Sequence, residues 1–164
     1  MLSWYDSNKR ILPWRESFDP YMIWISEVML QQTQVNTVIP YYIRWIKKFP
    51  TIGSVARADF NLLLKLWEGL GYYSRCKNFY KASRIVEEKY KGTIPDNYSL
   101  FRKLPGVGDY IAGAVMSIAF NKNYPAVDSN LKRVISRYLG IKNLTKHNIM
   151  RIHNELKKNI IDHR

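Results

Sequence analysis

An all-α fold is predicted by three observations. Apolar residues recur at helical spacing in one run after another, Pro or Gly marks the breaks, and no strand-like alternation of any length occurs. About seven to nine short helices are expected, with no internal repeat and no low-complexity tract.

The length of 164 residues suits one domain or a compact pair of lobes, and 46% hydrophobic residues exclude a disordered chain. Lys and Arg outnumber Asp and Glu by 26 to 13, a net charge of +13, which points to a polyanionic partner such as nucleic acid. A generally lysine-rich composition is the competing explanation. Cys76 is the single cysteine, so these residues form no intrachain disulfide and no multi-thiolate metal site. The start lacks an apolar signal region, and no apolar run approaches the ~20 residues of a membrane span. A soluble, intracellular protein in a reducing compartment is expected, with no membrane partner.

Taken in order, residues 3–9 read as the end of a helix that Pro13 stops. Trp14 and Arg15 then enter a loop, where they suit stacking and phosphate contact; a core Trp with a snorkelling Arg fits equally well. Residues 21–30 are nearly all apolar, with Glu27 the one acid among them. Desolvation there disfavours the carboxylate and makes a general acid available near neutrality, whereas a place on the helix's polar stripe leaves it an ordinary glutamate.

Gln31, Gln32, Thr33 and Gln34 follow, uncharged side chains able to read base edges or simply to line a solvated turn. Thr33 is the expected N-cap of a helix over 35–48, kinked at Pro40 and ended by Pro50. A further helix over 60–67 stops at Gly69-Leu70-Gly71, and Tyr72 and Tyr73 lead into a helix carrying Lys77, Lys81 and Arg84. Rings beside cations suit nucleic acid, though either Tyr also suits the core.

Residues 98–103 and 109–120 read as two helices joined by Leu104-Pro105-Gly106-Val107-Gly108, a hairpin whose glycines permit φ > 0 and close backbone approach. Its amides, with the positive end of the second helix, favour phosphate. Asp128 precedes a helical run from Leu131, either as an N-cap or as a carboxylate beside that turn. Residues 148–161 read as an amphipathic helix of a second lobe. His147, His153 and His163 lack acidic or thiol companions at ligand spacing and are read as surface residues.

With these motifs assembled, the chain resembles the helix-hairpin-helix DNA glycosylases related to endonuclease III, and among them the adenine DNA glycosylases of the MutY type. The resemblance rests on Leu12-Pro13-Trp14-Arg15, on Ser26-Glu27-Val28-Met29-Leu30-Gln31-Gln32-Thr33-Gln34-Val35, and on Trp67-Glu68-Gly69-Leu70-Gly71-Tyr72-Tyr73-Ser74-Arg75. It continues in Leu104-Pro105-Gly106-Val107-Gly108 and Val127-Asp128-Ser129-Asn130-Leu131-Lys132-Arg133-Val134, and covers residues 2–140.

The resemblance implies a six-helix lobe over 12–123 containing the hairpin, and a partial second lobe made of 1–11 and 124–164. It also implies a base excision repair enzyme that hydrolyses the N-glycosidic bond of a flipped adenine opposite 8-oxoguanine or guanine. Glu27 would protonate the leaving base, and Asp128 would stabilise the oxocarbenium-like sugar. Tyr110 stands where bifunctional relatives carry a lysine, so no Schiff base and no strand-cleaving step are expected; Asn130 would orient Asp128 or the water.

Arg15, Leu30, Gln32, Thr33 and Tyr72 would lie against the flipped adenine or its partner, and the amides from Gly106 to Gly108 would hold a phosphate. Trp14, Gln31, Leu104, Val107 and Lys132 are further expected DNA contacts, and carbonyls of 104–108 would hold a monovalent cation. The family's [4Fe-4S] cluster needs cysteines this sequence lacks, so no cofactor is expected on these residues and the chain reads as a fragment or a shortened lineage, the former preferred. The expected partner of a monomeric protein is double-stranded DNA with a mismatched or oxidised pair, in the cytoplasm with the nucleoid if prokaryotic. Two other functions compete: a thymine or uracil mismatch glycosylase of the same fold, and a non-catalytic helix-hairpin-helix DNA-binding module.

Overall fold

The computed structural model describes residues 2–159. Among them are ten α-helices, one 3-10 turn and no strand. That is more helices than the sequence pattern predicts, because α4 (Ile52–Ala56) spans only five residues, too few periodic positions to register as a separate element. Helix α7 (Tyr98–Arg102), equally short, falls on the helix expected over 98–103.

The organising helix is α2 (Pro20–Leu30). Asp19 caps it by accepting from the amides of Tyr21 (2.7 Å) and Met22 (3.3 Å), and Pro20 occupies the first helical position, where its missing N–H is no loss. Tyr21, Ile23, Trp24, Ile25, Ser26, Val28 and Met29 are all buried, so α2 is enclosed on nearly every side. It packs against α3 (Val35–Lys48), α6 (Tyr73–Tyr90) and α8 (Asp109–Ile118). Aromatic edges lock this centre. Trp24 meets Phe79 and Phe101 edge-on, each at 4.9 Å, and Tyr21 Oη donates to Phe49 O (2.6 Å) while accepting from Trp45 Nε1 (3.0 Å).

The remaining elements follow the expected order with local differences. Helix α1 (Leu2–Asn8) ends well before Pro13, which instead opens the 3-10 turn Pro13–Arg15. Helix α3 continues through Pro40 and ends at Lys48. Its N-cap is Gln34, not Thr33, and no side chain caps it, because the Thr33 hydroxyl donates to Gln31 O and accepts from Arg75 Nη2. Helix α5 (Phe60–Trp67) ends ahead of Gly69, which has φ +91°.

One apolar cluster extends from Leu12 to Met116, and a second, around Val127, Ile152 and Leu156, joins α9 (Ser129–Tyr138) to α10 (Lys146–Asn159). The expected extension of α10 to residue 161, and His163, lie outside the described residues. The segment leading to α9 lies directly on α8. A Cβ at Gly113 would stand 2.6 Å from Pro125 O, a backbone atom that cannot swing aside. Gly113→Ala is therefore expected to lower stability by about 1–3 kcal/mol despite the ~1 kcal/mol that alanine gains in a helix. Thermal or urea unfolding measures this, and a variant more stable than the parent would disprove the close approach. Among the described residues no helix is long and apolar enough to cross a membrane.

Candidate active site

Three elements supply the site. Glu27 lies one turn from the C-terminal end of α2, Tyr110 in the first turn of α8, and Asp128 immediately before α9. Although 101 residues separate them in sequence (128 minus 27), Glu27 and Asp128 line one cleft of about 620 Å³. Tyr110, Asn130, Leu30, Gln31, Gln32 and Tyr72 share its walls. At Glu27, Leu30 and Tyr110 the cleft abuts a second cavity of about 620 Å³, lined by Trp14, Arg15, Ile23 and Val35. The first is polar around the carboxylates; the second is largely apolar.

Glu27 is half-buried, and desolvation raises its pKa above the ordinary glutamate value. A hydrogen bond with Tyr110 and the charge of Arg15 oppose that shift, while the Asp128 charge adds to it. Tyr110 is in turn pushed up by burial, by Glu27 and by Asp128, so its hydroxyl stays neutral and can donate to Glu27 throughout the working range of pH.

Asp128 divides its two oxygens. Oδ1 accepts from the amide of Leu131 (2.7 Å) and caps α9, while Oδ2 receives only a long contact from Asn130 Nδ2 (3.4 Å). The residue is at once cap and cleft carboxylate, so the two sequence readings hold together. Asn130 is itself fixed by Arg133 Nη2 (2.9 Å).

The hairpin lies between α7 and α8. Gly106 has φ +77°, but Gly108 is extended at φ −87° and serves as N-cap of α8, so only one of the two glycines needs a left-handed backbone. A Cβ at Gly106 would stand 2.9 Å from Asn78 Cβ, whereas nothing lies within 4 Å of one at Gly108, which leaves room for close approach there. Leu104 and Val107 are buried, so they can meet DNA only through their backbone. Asp109, in the first turn of α8, is drawn aside by Arg102 Nε (2.6 Å) and Tyr98 Oη (3.2 Å). Val107 O already accepts from Arg102 Nη1 (2.8 Å). That bond takes one of the two lone pairs of the Val107 carbonyl.

Other expected site residues fall as follows. Trp14 is 6% exposed and edge-on to Tyr42, a core side chain that also walls the apolar cavity. Arg15 is exposed and donates to Arg10 O (3.1 Å). Gln32 and Tyr72 project at the mouth of the cleft, both with left-handed φ, +57° and +49°. Lys132 is not among the cleft walls; with Lys157 it faces His153. His153 is half-buried rather than a surface residue, and burial, ahead of those two lysines, lowers its pKa.

Cys76 is fully buried, and desolvation pushes its thiol up to about 12. One inert thiol does not fit an iron–sulfur cluster, which needs four thiolates. No group of three or more His, Cys, Asp or Glu suited to a metal gathers among the described residues. The residue that sequence reasoning missed is Arg75, whose buried guanidinium is described below; a basic residue just inside a helix start carries no pattern of its own.

The family model of the HhH-GPD superfamily base excision DNA repair protein matches residues 25–159. The adenine DNA glycosylase of Buchnera aphidicola subsp. Baizongia pistaciae is 46% identical over 142 residues, covering 86% of this chain and 40% of the relative. The human adenine DNA glycosylase is 45% identical over 150 residues, covering 86% and 28%. Among solved structures, a thermostable thymine-DNA glycosylase superposes with a TM-score of 0.88 at 31% identity, covering 96% of this chain and 73% of that one. A trapped endonuclease III–DNA covalent intermediate gives 0.80 at 25% identity, covering 97% and 73%. The chain thus spans well under half the length of these adenine glycosylase relatives. With its hairpin, its paired acids and a family match over most of its length, the chain belongs to the HhH-GPD superfamily of base excision DNA repair proteins.

Proposed function

We propose that this chain carries the catalytic centre of a monofunctional DNA glycosylase that hydrolyses the N-glycosidic bond of a flipped adenine opposite 8-oxoguanine or guanine. The reading rests on one observation: Glu27 and Asp128 wall the same cleft, the first desolvated and raised in pKa, the second with one oxygen uncommitted. The target base would enter the apolar cavity beyond Glu27, leaving its sugar in the polar cleft beside Asp128. Extrusion costs a few kcal/mol, least at a mismatch, and stacking and hydrogen bonds in the two cavities offset it.

Departure of an adenine anion is slow, so a proton must reach a ring nitrogen as the bond breaks. Glu27 holds that proton because burial favours its neutral form. Charge that develops on the sugar falls beside Asp128, whose Oδ2 can stabilise it or bond to it before water completes the displacement. Tyr110 offers a hydroxyl where an amine would be needed for a Schiff base, which supports base release without strand cleavage. Amides at the hairpin and at the start of α8 would take a phosphate, aided by the charge of +13. A division into a lobe over 12–123 and a partial second lobe from 1–11 and 124–164 belongs to this proposal. The two apolar clusters support it for the body of each lobe; the first lobe holds seven α-helices, α2 to α8, in place of the expected six, and among the described residues none of 1–11 joins either cluster.

The adenine glycosylases that match at 45–46% identity favour adenine; the thymine-DNA glycosylase, at 31%, favours the second reading. Single-turnover assays on duplexes with adenine opposite 8-oxoguanine or guanine, and with thymine or uracil opposite guanine, decide between them. Adenine release is expected, and thymine release alone would replace the proposal.

The acid role also sets the pH profile. The working form of Glu27 is protonated, and its raised pKa keeps that form populated above the ordinary glutamate value of about 4.3. Base release should fall as pH rises through the raised pKa. Tyr110→Phe removes a donor that favours the carboxylate, so this falling limb should move to higher pH. A rate that instead climbs with pH across that limb contradicts proton donation by Glu27.

A further inference from the structure

Among the described residues Arg75 is the one charged residue whose side chain is buried, 8% exposed, and no carboxylate there bonds to it. An unpaired buried cation is costly unless its donors are satisfied. Here they are, almost wholly by backbone. Nη1 donates to Val28 O (3.0 Å), Met29 O (2.7 Å) and Gln31 O (2.6 Å), while Nη2 donates to Leu70 O (3.3 Å), Gly71 O (3.1 Å) and Thr33 Oγ1 (3.2 Å). Nε faces Tyr72 O at 3.5 Å, and the guanidinium carbon lies 5.3 Å from the Tyr72 ring centroid and 5.5 Å from that of Trp67.

These acceptors come from two separate stretches. One is the end of α2 and the turn that carries Gln31, Gln32 and Thr33; the other is the loop that delivers Tyr72. At each a non-glycine residue, Gln32 or Tyr72, is held at positive φ, a conformation that persists only where surroundings over-determine it. Arg75 is what the two have in common. Its charge also complements the carbonyl end of α2, whose last turn carries Glu27.

We propose that Arg75 is a positioning residue which, acting through backbone carbonyls and Thr33, sets the gap between Gln32 and Tyr72 and so the cleft's recognition of the nucleotide pair being opened. This deepens the reading of the cleft as a glycosylase site and rests on it. The guanidinium is suited to the task because its planar fork serves acceptors on both sides at once, whereas the compact ammonium of a lysine cannot span them. Arg75 lines the cleft, but its guanidinium is committed to backbone carbonyls and Thr33, and Glu27 and Asp128 keep their own partners without it.

The test compares the parent chain with Arg75→Lys and Arg75→Met. Three quantities are read: secondary structure and unfolding midpoint by circular dichroism, affinity for a duplex carrying an uncleavable adenine analogue opposite 8-oxoguanine against the same analogue opposite thymine, and single-turnover adenine release against pH. Both variants are expected to stay folded and to lose about tenfold or more in affinity for the mismatched duplex, with much less change for the paired one. The pH midpoint of the falling limb should remain where it is, since Glu27 is untouched.

Equal losses on both duplexes, or none, would overturn the proposal, and so would failure of both variants to fold, since Arg75 would then serve stability alone. A shifted pH midpoint would also overturn it, by showing that Arg75 acts on Glu27. If the parent binds the mismatch selectively but releases no adenine, the proposed activity fails while the role of Arg75 is still decided by the binding arm.

Discussion

Glu27→Gln is expected to cut adenine release by about 10²–10⁴-fold, the usual worth of a positioned general acid, while duplex binding stays close to that of the parent. Glutamine matches the shape of glutamate and can still meet Tyr110, but it has no proton to give a departing base. The same substitution should leave the protein as stable as the parent at neutral pH, or more so. The sign follows from the raised pKa of Glu27. An acid whose folded pKa exceeds its unfolded value contributes stability that is full below the unfolded pKa and is lost as pH rises through the folded one. At neutral pH the carboxylate is thus a burden that glutamine removes, a trade of stability for function. Release of adenine by the variant at the parental rate, in a single-turnover assay, would remove Glu27 from the chemistry.

Asp128→Asn should lower the same rate by about 10²–10³-fold, the scale of losing one electrostatic stabiliser of a transition state. Asparagine is chosen because it caps a helix about as well as aspartate does. Leu131 N keeps its acceptor, α9 stays in place, and only the negative charge is lost. Asp128→Ala, in contrast, removes cap and charge together and should cost about 1 kcal/mol of stability besides. The comparison separates the two roles: if Asn retained full activity and Ala did not, Asp128 would be a cap alone. Chemical denaturation and the release assay on both variants supply the numbers.

Much of this architecture was legible in the sequence. Helix positions followed from apolar spacing, since a helix that buries one face must repeat near 3.6 residues; the hairpin followed from Pro105, Gly106 and Gly108. The short helix α4 escaped, as did the true cap of α3. Thr33 has the right chemistry for capping, but a competing tertiary bond from Arg75 engages its hydroxyl, and no local pattern reveals that. Arg75 itself was hidden for the same reason: its acceptors are main-chain oxygens, which every residue possesses.

The family resemblance implied the pairing of one isolated glutamate with one pre-helical aspartate; by itself the sequence determined the helical class, the basic charge and the phosphate-friendly turn. These are properties of local spacing and residue chemistry. Only the tertiary structure decided that Glu27 and Asp128 share a cleft, that Tyr110 links to the first of them, and that Arg75 bonds both to the turn that carries Gln32 and to the loop that delivers Tyr72. Each of those depends on how α2, α6, α8 and α9 pack, because a carboxylate's pKa and reach are set by its neighbours in space, and the packing of four helices brings together residues that no sequence window contains.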